Sequence, residues 1–229
     1  MKGQMKYYPV FLNLEGKTAV VVGGGRVAQR KIETLLRYGA LISLISSRLT
    51  DKLNELVEIG SVRYLGTDFQ DKHLDEAFLV IAATDDKELN RHISKMARRR
   101  RLLVNVVDQP PDCNFILPSI VERGHLLIAI STAGRSPTLA KKIRKELESR
   151  FGSEYATFLL LMGQLRKEVL AKGFSQDKNN LIFYEIVNSG ILDALREGDW
   201  KEVVSTLRRI LPRDMETTIE DISTDIRHY

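Results

Sequence analysis

Over residues 18–107, short apolar runs alternate with amphipathic stretches. Residues 18–22, 41–45, 62–65, 78–82 and 102–107 are rich in Val, Ile and Leu, the texture of strands buried on both faces. Between them, residues 26–38 place Val27, Ile32, Leu35 and Leu36 close to helical spacing, and Gly39 offers a C-terminal stop. Thr50 is placed to cap a helix running to about Ile59, with Leu53, Leu56 and Val57 on one face. Residues 87–100 predict a third helix. This alternation predicts a parallel sheet covered by helices on both faces. Residues 10–14 are expected to add an edge strand through the turn at Glu15-Gly16.

The texture changes after Asp108, where Gln109-Pro110-Pro111 breaks the alternation. Residues 115–121 and 125–131 predict a hairpin joined at Arg123-Gly124. Ser136-Pro137 predicts a helix start. The helix over 138–150 carries Leu139, Ile143 and Leu147 on one face and Lys and Arg on the other. From Phe151 onward the pattern is helical and more polar, and residues 213–229 are expected to be mobile. The fold class is therefore α/β: a Rossmann-like parallel sheet, then a small α+β region, then a C-terminal helical region.

Composition narrows the function classes. The chain has 229 residues, 43% hydrophobic and 28% charged, enough to bury a core without staples. The single cysteine, Cys113, cannot build a disulfide framework or a multi-thiolate zinc site and suits a reducing cytoplasm. Residues 1–8 lack an apolar signal core, and no apolar run approaches the ~20 residues of a membrane span, so a soluble chain without a membrane partner is expected. The net charge of +5 suits an anionic partner without choosing one.

The main chemical signal is Gly23-Gly24-Gly25-Arg26-Val27-Ala28. It fits G-x-G-x-x-A between a strand and a helix, with Gly23 for the tight turn, Gly25 for approach of a pyrophosphate and Ala28 for close packing. The helix N-terminus adds free N–H groups for phosphate. The acidic ribose partner expected about twenty residues on is absent. Ser46 could bond the ribose, or Arg48 could take a 2′-phosphate, and the residues alone leave the choice open. Thr84 and Asp108 fall at the carboxyl ends of strands, where ligands bind in such folds. Asp108 could serve as a general base or could bond the following turn. Asp85 and Asp86 suit the start of the next helix. The loop 132–137 is a further anion candidate, with a plain capped loop as the alternative.

Arg98–Arg101 reads as a helix end complementing the dipole rather than a nucleic-acid patch, since it has no aromatic interleaving. The histidines, at 73, 92, 125 and 228, show no metal-ligand spacing, and Cys113 reads as structural.

Several blocks of sequence recur together in one family. Residues 9–17 (PVFLNLEGK) and 20–31 (VVVGGGRVAQRK) closely resemble the start of precorrin-2 dehydrogenases, which occur alone and as the N-terminal part of siroheme synthase. Ala82-Ala-Thr-Asp85, Val104-Asn-Val-Val-Asp108, Phe115-Ile-Leu-Pro-Ser-Ile120 and Ile130-Ser-Thr-Ala-Gly-Arg-Ser-Pro137 continue the match in order. The resemblance covers about residues 7–150. It implies oxidation of precorrin-2 to sirohydrochlorin with NAD as cofactor; some members also insert ferrous iron, which makes Fe2+ a second substrate there. It implies that Asp108 is catalytic. Cofactor contacts would fall on Gly23, Gly25, Arg26, Val27, Ala28, Gln29, Ser46, Leu49, Thr50 and Thr84. Substrate contacts would fall on Asn105, Asn114, Ser131, Thr132 and Ser136. No resident metal site is implied. Thr132 stands where siroheme synthases can carry a serine linked to regulation. The implied organisation is an NAD-binding domain over 1–113, a homodimerisation region over 114–150 and a helical region over 151–229. The competing class is a nucleotide-sensing regulatory module without turnover; the missing acidic ribose partner and the Asp108 block followed by a hairpin speak against it.

Overall fold

The computed structural model describes residues 7–227. They divide into two compact units, one ending at Leu117 and the other beginning at Pro118. Residues 114–117 stay with the first unit, and the regions 114–150 and 151–229 do not divide from one another as separate units.

The first unit holds a five-stranded parallel sheet: β1 (Thr18–Val22), β2 (Leu41–Ile45), β3 (Val62–Gly66), β4 (Leu79–Ala82) and β5 (Leu103–Val106), in the order β3-β2-β1-β4-β5. Helices α1 (Arg26–Arg37), α2 (Asp51–Glu58) and α3 (Lys87–Arg99) connect strands, and a short 3-10 turn at Asp71–Leu74 replaces a helix between β3 and β4. Alternation along the strands splits the core by face. Ala19, Val21, Ile42, Leu44, Leu79 and Ile81 pack with Ala28, Ile32, Leu35 and Leu53 of α1 and α2. Val20, Val22, Ile45, Val80, Ala82, Val104 and Val106 pack on the other face with Ile93 and Ala97 of α3. Burying both faces is why these strands read as continuous apolar runs.

Local signals end the elements as the residues predict. Gly39, at φ +75°, follows α1 in the left-handed region, the usual exit for a residue without a Cβ. The Thr50 hydroxyl accepts from the Leu53 N–H at 3.3 Å and caps α2. Asp86 caps α3, accepting from Glu88 N–H and Leu89 N–H.

The expected edge strand at 10–14 does not form. β1 is central, flanked by β2 and β4, so the segment leading into it has no free edge to pair with. Val10, Phe11 and Leu12 are exposed, while Leu14 packs against the α1 face and closes a turn onto Lys17.

In the second unit, β6 (Ser119–Arg123) and β7 (Leu126–Ile130) form the expected antiparallel hairpin with a shifted start. Pro118 cannot donate to a ladder, and Phe115 packs with the first unit's core, so pairing begins at Ser119. Gly124-His125 makes the two-residue turn, with Gly124 at φ +56°. Helix α4 (Pro137–Arg150) begins at Ser136, whose hydroxyl accepts from Leu139 N–H, with Pro137 at the first position.

Among the described residues five more α-helices follow: α5 (Glu154–Ala171), α6 (Gln176–Val187), α7 (Ile191–Glu197), α8 (Trp200–Ile210) and α9 (Glu216–Arg227). Their core includes Leu161, Leu165, Ile186, Ile191, Val203 and Leu207. The mobile end expected over 213–229 is therefore corrected for its described part. Met215, Ile219, Ile222 and Ile226 are buried at helical spacing, a stripe that the surrounding charges hide; residues 228 and 229, with His228, lie outside the described residues, as do residues 1–6. No helix among the described residues is long and apolar enough to cross a membrane.

Candidate active site

The glycine loop joins β1 to α1 at the carboxyl edge of the sheet, beside the switch between β1 and β4 where ligands bind in open parallel sheets. The three glycines meet different surroundings. A Cβ on Gly23 (φ +114°) would fall 2.3 Å from the Ala83 carbonyl oxygen, and one on Gly24 would fall 2.1 Å from that of Arg48. A Cβ on Gly25 would meet nothing within 4 Å. Gly23 and Gly24 are thus fixed by the protein itself, whereas Gly25 faces open space.

Helix α1 begins at Gly25 without a side-chain cap and without an acidic residue in its first turn. Helices α2 and α3 have both. An uncapped, uncharged helix start leaves N–H groups and the positive dipole end free for an anion. These residues fit a dinucleotide pyrophosphate. Ala28 is fully buried under the loop, while Arg26 and Val27 are exposed beside it.

The second part of the candidate cofactor site is tied together. The Ser46 hydroxyl donates to the Arg48 carbonyl at 2.7 Å, and Tyr64 donates to the Ser46 carbonyl at 2.8 Å. The Thr50 hydroxyl donates to Gln29 Oε1 at 2.8 Å, and Leu49 packs on the α1 face. Thr84 follows β4; its carbonyl accepts from the Asn90 amide at 2.9 Å and its hydroxyl lies 2.8 Å from Asn90 Oδ1. Thus Gly23, Gly25–Gln29, Ser46, Leu49, Thr50 and Thr84 all belong to the first unit's carboxyl edge.

Asp108 follows β5. It is exposed and sits at φ +58°, a left-handed conformation that is uncommon outside glycine. The loop behind it is braced. Cys113 Sγ accepts from Val106 N–H at 3.1 Å, Ser94 of α3 donates to the Asp112 carbonyl at 2.6 Å, and Arg98 donates to the carbonyls of Pro111 and Cys113 at 3.0 and 2.9 Å. Cys113 is buried and structural in this geometry, and Arg98 anchors a loop while ending its helix. Arg100 pairs with Asp75.

The expected substrate residues fall into two groups. Asn105 is buried on β5; its Oδ1 accepts from Lys31 Nζ at 3.2 Å and its Nδ2 donates to the Phe115 carbonyl at 3.2 Å. Asn114 accepts from Val104 N–H at 2.7 Å and donates to the Leu102 carbonyl at 2.8 Å, so both ends of its amide serve the edge strand β5. Ser131, Thr132 and Ser136 lie in the second unit. Ser131 accepts from Ala133 N–H, while the Thr132 hydroxyl accepts from Ser136 N–H and donates to the Ser136 carbonyl, each at 3.1 Å. These hydroxyls close the turn that carries Ala133 (φ +51°) and Gly134 (φ +78°).

Sequence reasoning gave Lys31 no role of its own, read Arg98 as a helix end and read Gln109 as part of a chain break. Gln109, next to Asp108, has a buried Oε1 without a hydrogen-bond donor among the described residues. No cluster of three or more metal-ligating side chains occurs among the described residues.

Two family models match in tandem: "Putative NAD(P)-binding" over residues 10–119 and "Sirohaem biosynthesis protein central" over 123–150. The siroheme synthase of Photorhabdus laumondii is 37% identical over 207 residues, 90% of this chain and 44% of that protein. The siroheme synthase of Nitrosospira multiformis is 42% identical over 190 residues, 81% of this chain and 40% of that protein. The chain thus spans less than half the length of these curated relatives. Among solved structures, that of SirC, a precorrin-2 dehydrogenase, matches with a TM-score of 0.74 at 27% identity, covering 89% of this chain and all of that one.

Proposed function

Because the chain belongs to the family that siroheme synthases share with precorrin-2 dehydrogenase, we propose that it oxidises precorrin-2 to sirohydrochlorin with NAD. The observation that carries this reading is the pairing, on one sheet edge, of an uncapped glycine-loop helix start with a braced, left-handed Asp108. A regulatory nucleotide sensor has no need of the second feature.

Gly23, Gly25 and the start of α1 would hold the pyrophosphate, with Ser46, Leu49 and Thr50 along the ribose side and Thr84 beside the loop. NAD, when bound there, supplies the hydride acceptor. The oxidation also releases a proton, and the Asp108 carboxylate oxygens are the acceptor the chain offers at that edge. Ser94 and Arg98 hold the backbone of its loop three to five residues further on. A substrate role for Ser131, Thr132 and Ser136 rests on the family resemblance; their hydroxyls close their own turn. The preference for NAD over NADP rests on the family; Arg48 is the residue that argues otherwise. Ferrous iron would be a second substrate handled at the same carboxylate, and the compartment is the cytoplasm.

A second copy of the chain completes the assembly in this reading. Only Ala140 of α4 is buried, Leu139 is 47% exposed, and Ile143 and Leu147 are half-covered, as is most of the hairpin's apolar surface. A symmetric dimer is the usual way to cover such a surface.

The test is anaerobic: purified chain, precorrin-2 and either nucleotide, followed by absorbance of the reduced cofactor. NADH formation with a kcat/KM at least tenfold above that with NADP is the expected result. No turnover, with nucleotide binding intact, would leave the sensor reading; a tenfold preference for NADP would make Arg48 the better guide.

A further inference from the structure

Lys31 lies on the face of α1 that packs against the sheet, between Ala28 and Leu35, both of which are buried. It is half-buried, yet among the described residues it makes no ion pair; its hydrogen-bond partner is the neutral Asn105 carbonyl oxygen at 3.2 Å. A buried charge ordinarily has a counter-charge. The groups facing Lys31 are Arg30 on its own helix and Asp108 and Cys113 beyond β5. Burial, reinforced by Arg30, holds the ammonium below the ordinary lysine value, with Cys113 and Asp108 acting in the opposite direction. The Asp108 charge is therefore felt at Lys31 without an ion pair between them.

Resting on the reading above, we infer that Lys31, steadied by Asn105, is the cation that receives a carboxylate of the tetrapyrrole and so positions the ring beside Asp108. The placement favours substrate over cofactor. Lys31 stands about 9 Å along α1 from Gly25 at 1.5 Å per residue, and its side chain reaches Asn105 on β5, at one edge of the sheet. The candidate ribose loop, 46–50, follows β2 on the other side of β1. An ammonium offers three donors and Asn105 takes one. A carboxylate arriving there would replace a missing counter-ion rather than compete with an existing one.

The test measures binding of sirohydrochlorin and of NADH, together with kcat and KM for precorrin-2, in the wild type, Lys31→Met and Lys31→Arg. Lys31→Met keeps the length of the side chain and removes the charge. It is expected to weaken sirohydrochlorin binding and raise KM about tenfold, with NADH affinity within about twofold of wild type and a smaller change in kcat. Lys31→Arg is expected to recover most of the loss, and Lys31→Gln replaces the Met variant if that one does not fold. Unchanged sirohydrochlorin affinity and KM in a folded, uncharged variant, with only the melting temperature altered, would make the contact with Asn105 structural and overturn the inference alone. A loss confined to NADH would overturn it in favour of a cofactor contact. A wild-type chain that binds NADH but neither binds sirohydrochlorin nor turns over precorrin-2 would overturn the proposed function and this inference with it.

Discussion

The Arg98 guanidinium, at the end of α3, donates to the Cys113 carbonyl at 2.9 Å across 15 positions of sequence and thereby fastens the loop that begins at Asp108. Arg98→Ala, which also removes the bond to the Pro111 carbonyl, is expected to cost about 1.5–3 kcal/mol of stability, the usual net for hydrogen bonds to a charged group, and to lower turnover by loosening the loop. Melting temperature and NADH formation measured together check this. A lowered melting temperature with unchanged turnover would show that the loop holds Asp108 without Arg98.

Gly24 and Gly25 are neighbours with opposite expected responses. Gly24→Ala forces a methyl group against the Arg48 carbonyl, at 2.1 Å before relaxation, and overpacking of this kind costs about 1–3 kcal/mol. Gly25→Ala meets open space at an ordinary φ of −80°, so the fold is expected to survive while NAD binding weakens about tenfold. Calorimetric binding and thermal melts separate the two. Normal NAD affinity in Gly25→Ala would remove the pyrophosphate from this loop.

The α4 surface gives a prediction about assembly. Sedimentation at micromolar concentration is expected to show a dimer, and Leu139→Glu is expected to yield a folded monomer, since the charge would be buried without a partner. A wild-type monomer would contradict the second-copy reading.

Glu154, 8% exposed in the second unit, accepts from Arg196 at 3.0 and 3.3 Å. Burial pushes its carboxyl up, but hydrogen bonds from the backbone and from Arg196, together with the Arg196 charge, outweigh that and leave it below the ordinary 4.5. A depressed folded-state value means that the contribution is complete above the unfolded value and is lost as pH falls through the folded one. Glu154→Gln should therefore lower the melting temperature at pH 7, and the gap from wild type should close as pH falls below about 4.5. A gap independent of pH would mean that the carboxylate's charge adds nothing to stability.

Much of the first unit was legible because its signals are local. Gly39, Thr50 and Asp86 end or begin helices through contacts within a few residues, and Gly23 to Ala28 lie between a strand and a helix. What was not legible depends on distant partners. The segment 10–14 has strand texture but no vacant edge beside β1. The strand expected from Phe115 starts at Ser119 because Phe115 and Asn114 belong to β5's surroundings. The charges around Ile219, Ile222 and Ile226 disguise a buried stripe. In the candidate site, the glycine loop and Asp108 could be picked out from position in the strand–helix alternation. Lys31 was missed because a lysine on an amphipathic helix reads as solvated; its spacing from Ala28 and Leu35, on the apolar stripe, was the available sign.

The central claim is that the Asp108 carboxylate takes part in the oxidation. Asp108→Asn is the cleanest variant, because asparagine tolerates the left-handed conformation at φ +58° and loses only the carboxylate. Measured anaerobically with precorrin-2 and NAD, it is expected to lose about 10²–10⁴-fold in the rate of NADH formation while keeping wild-type NADH affinity and melting temperature. Near-normal turnover with a lowered melting temperature would make Asp108 a turn residue and contradict the account.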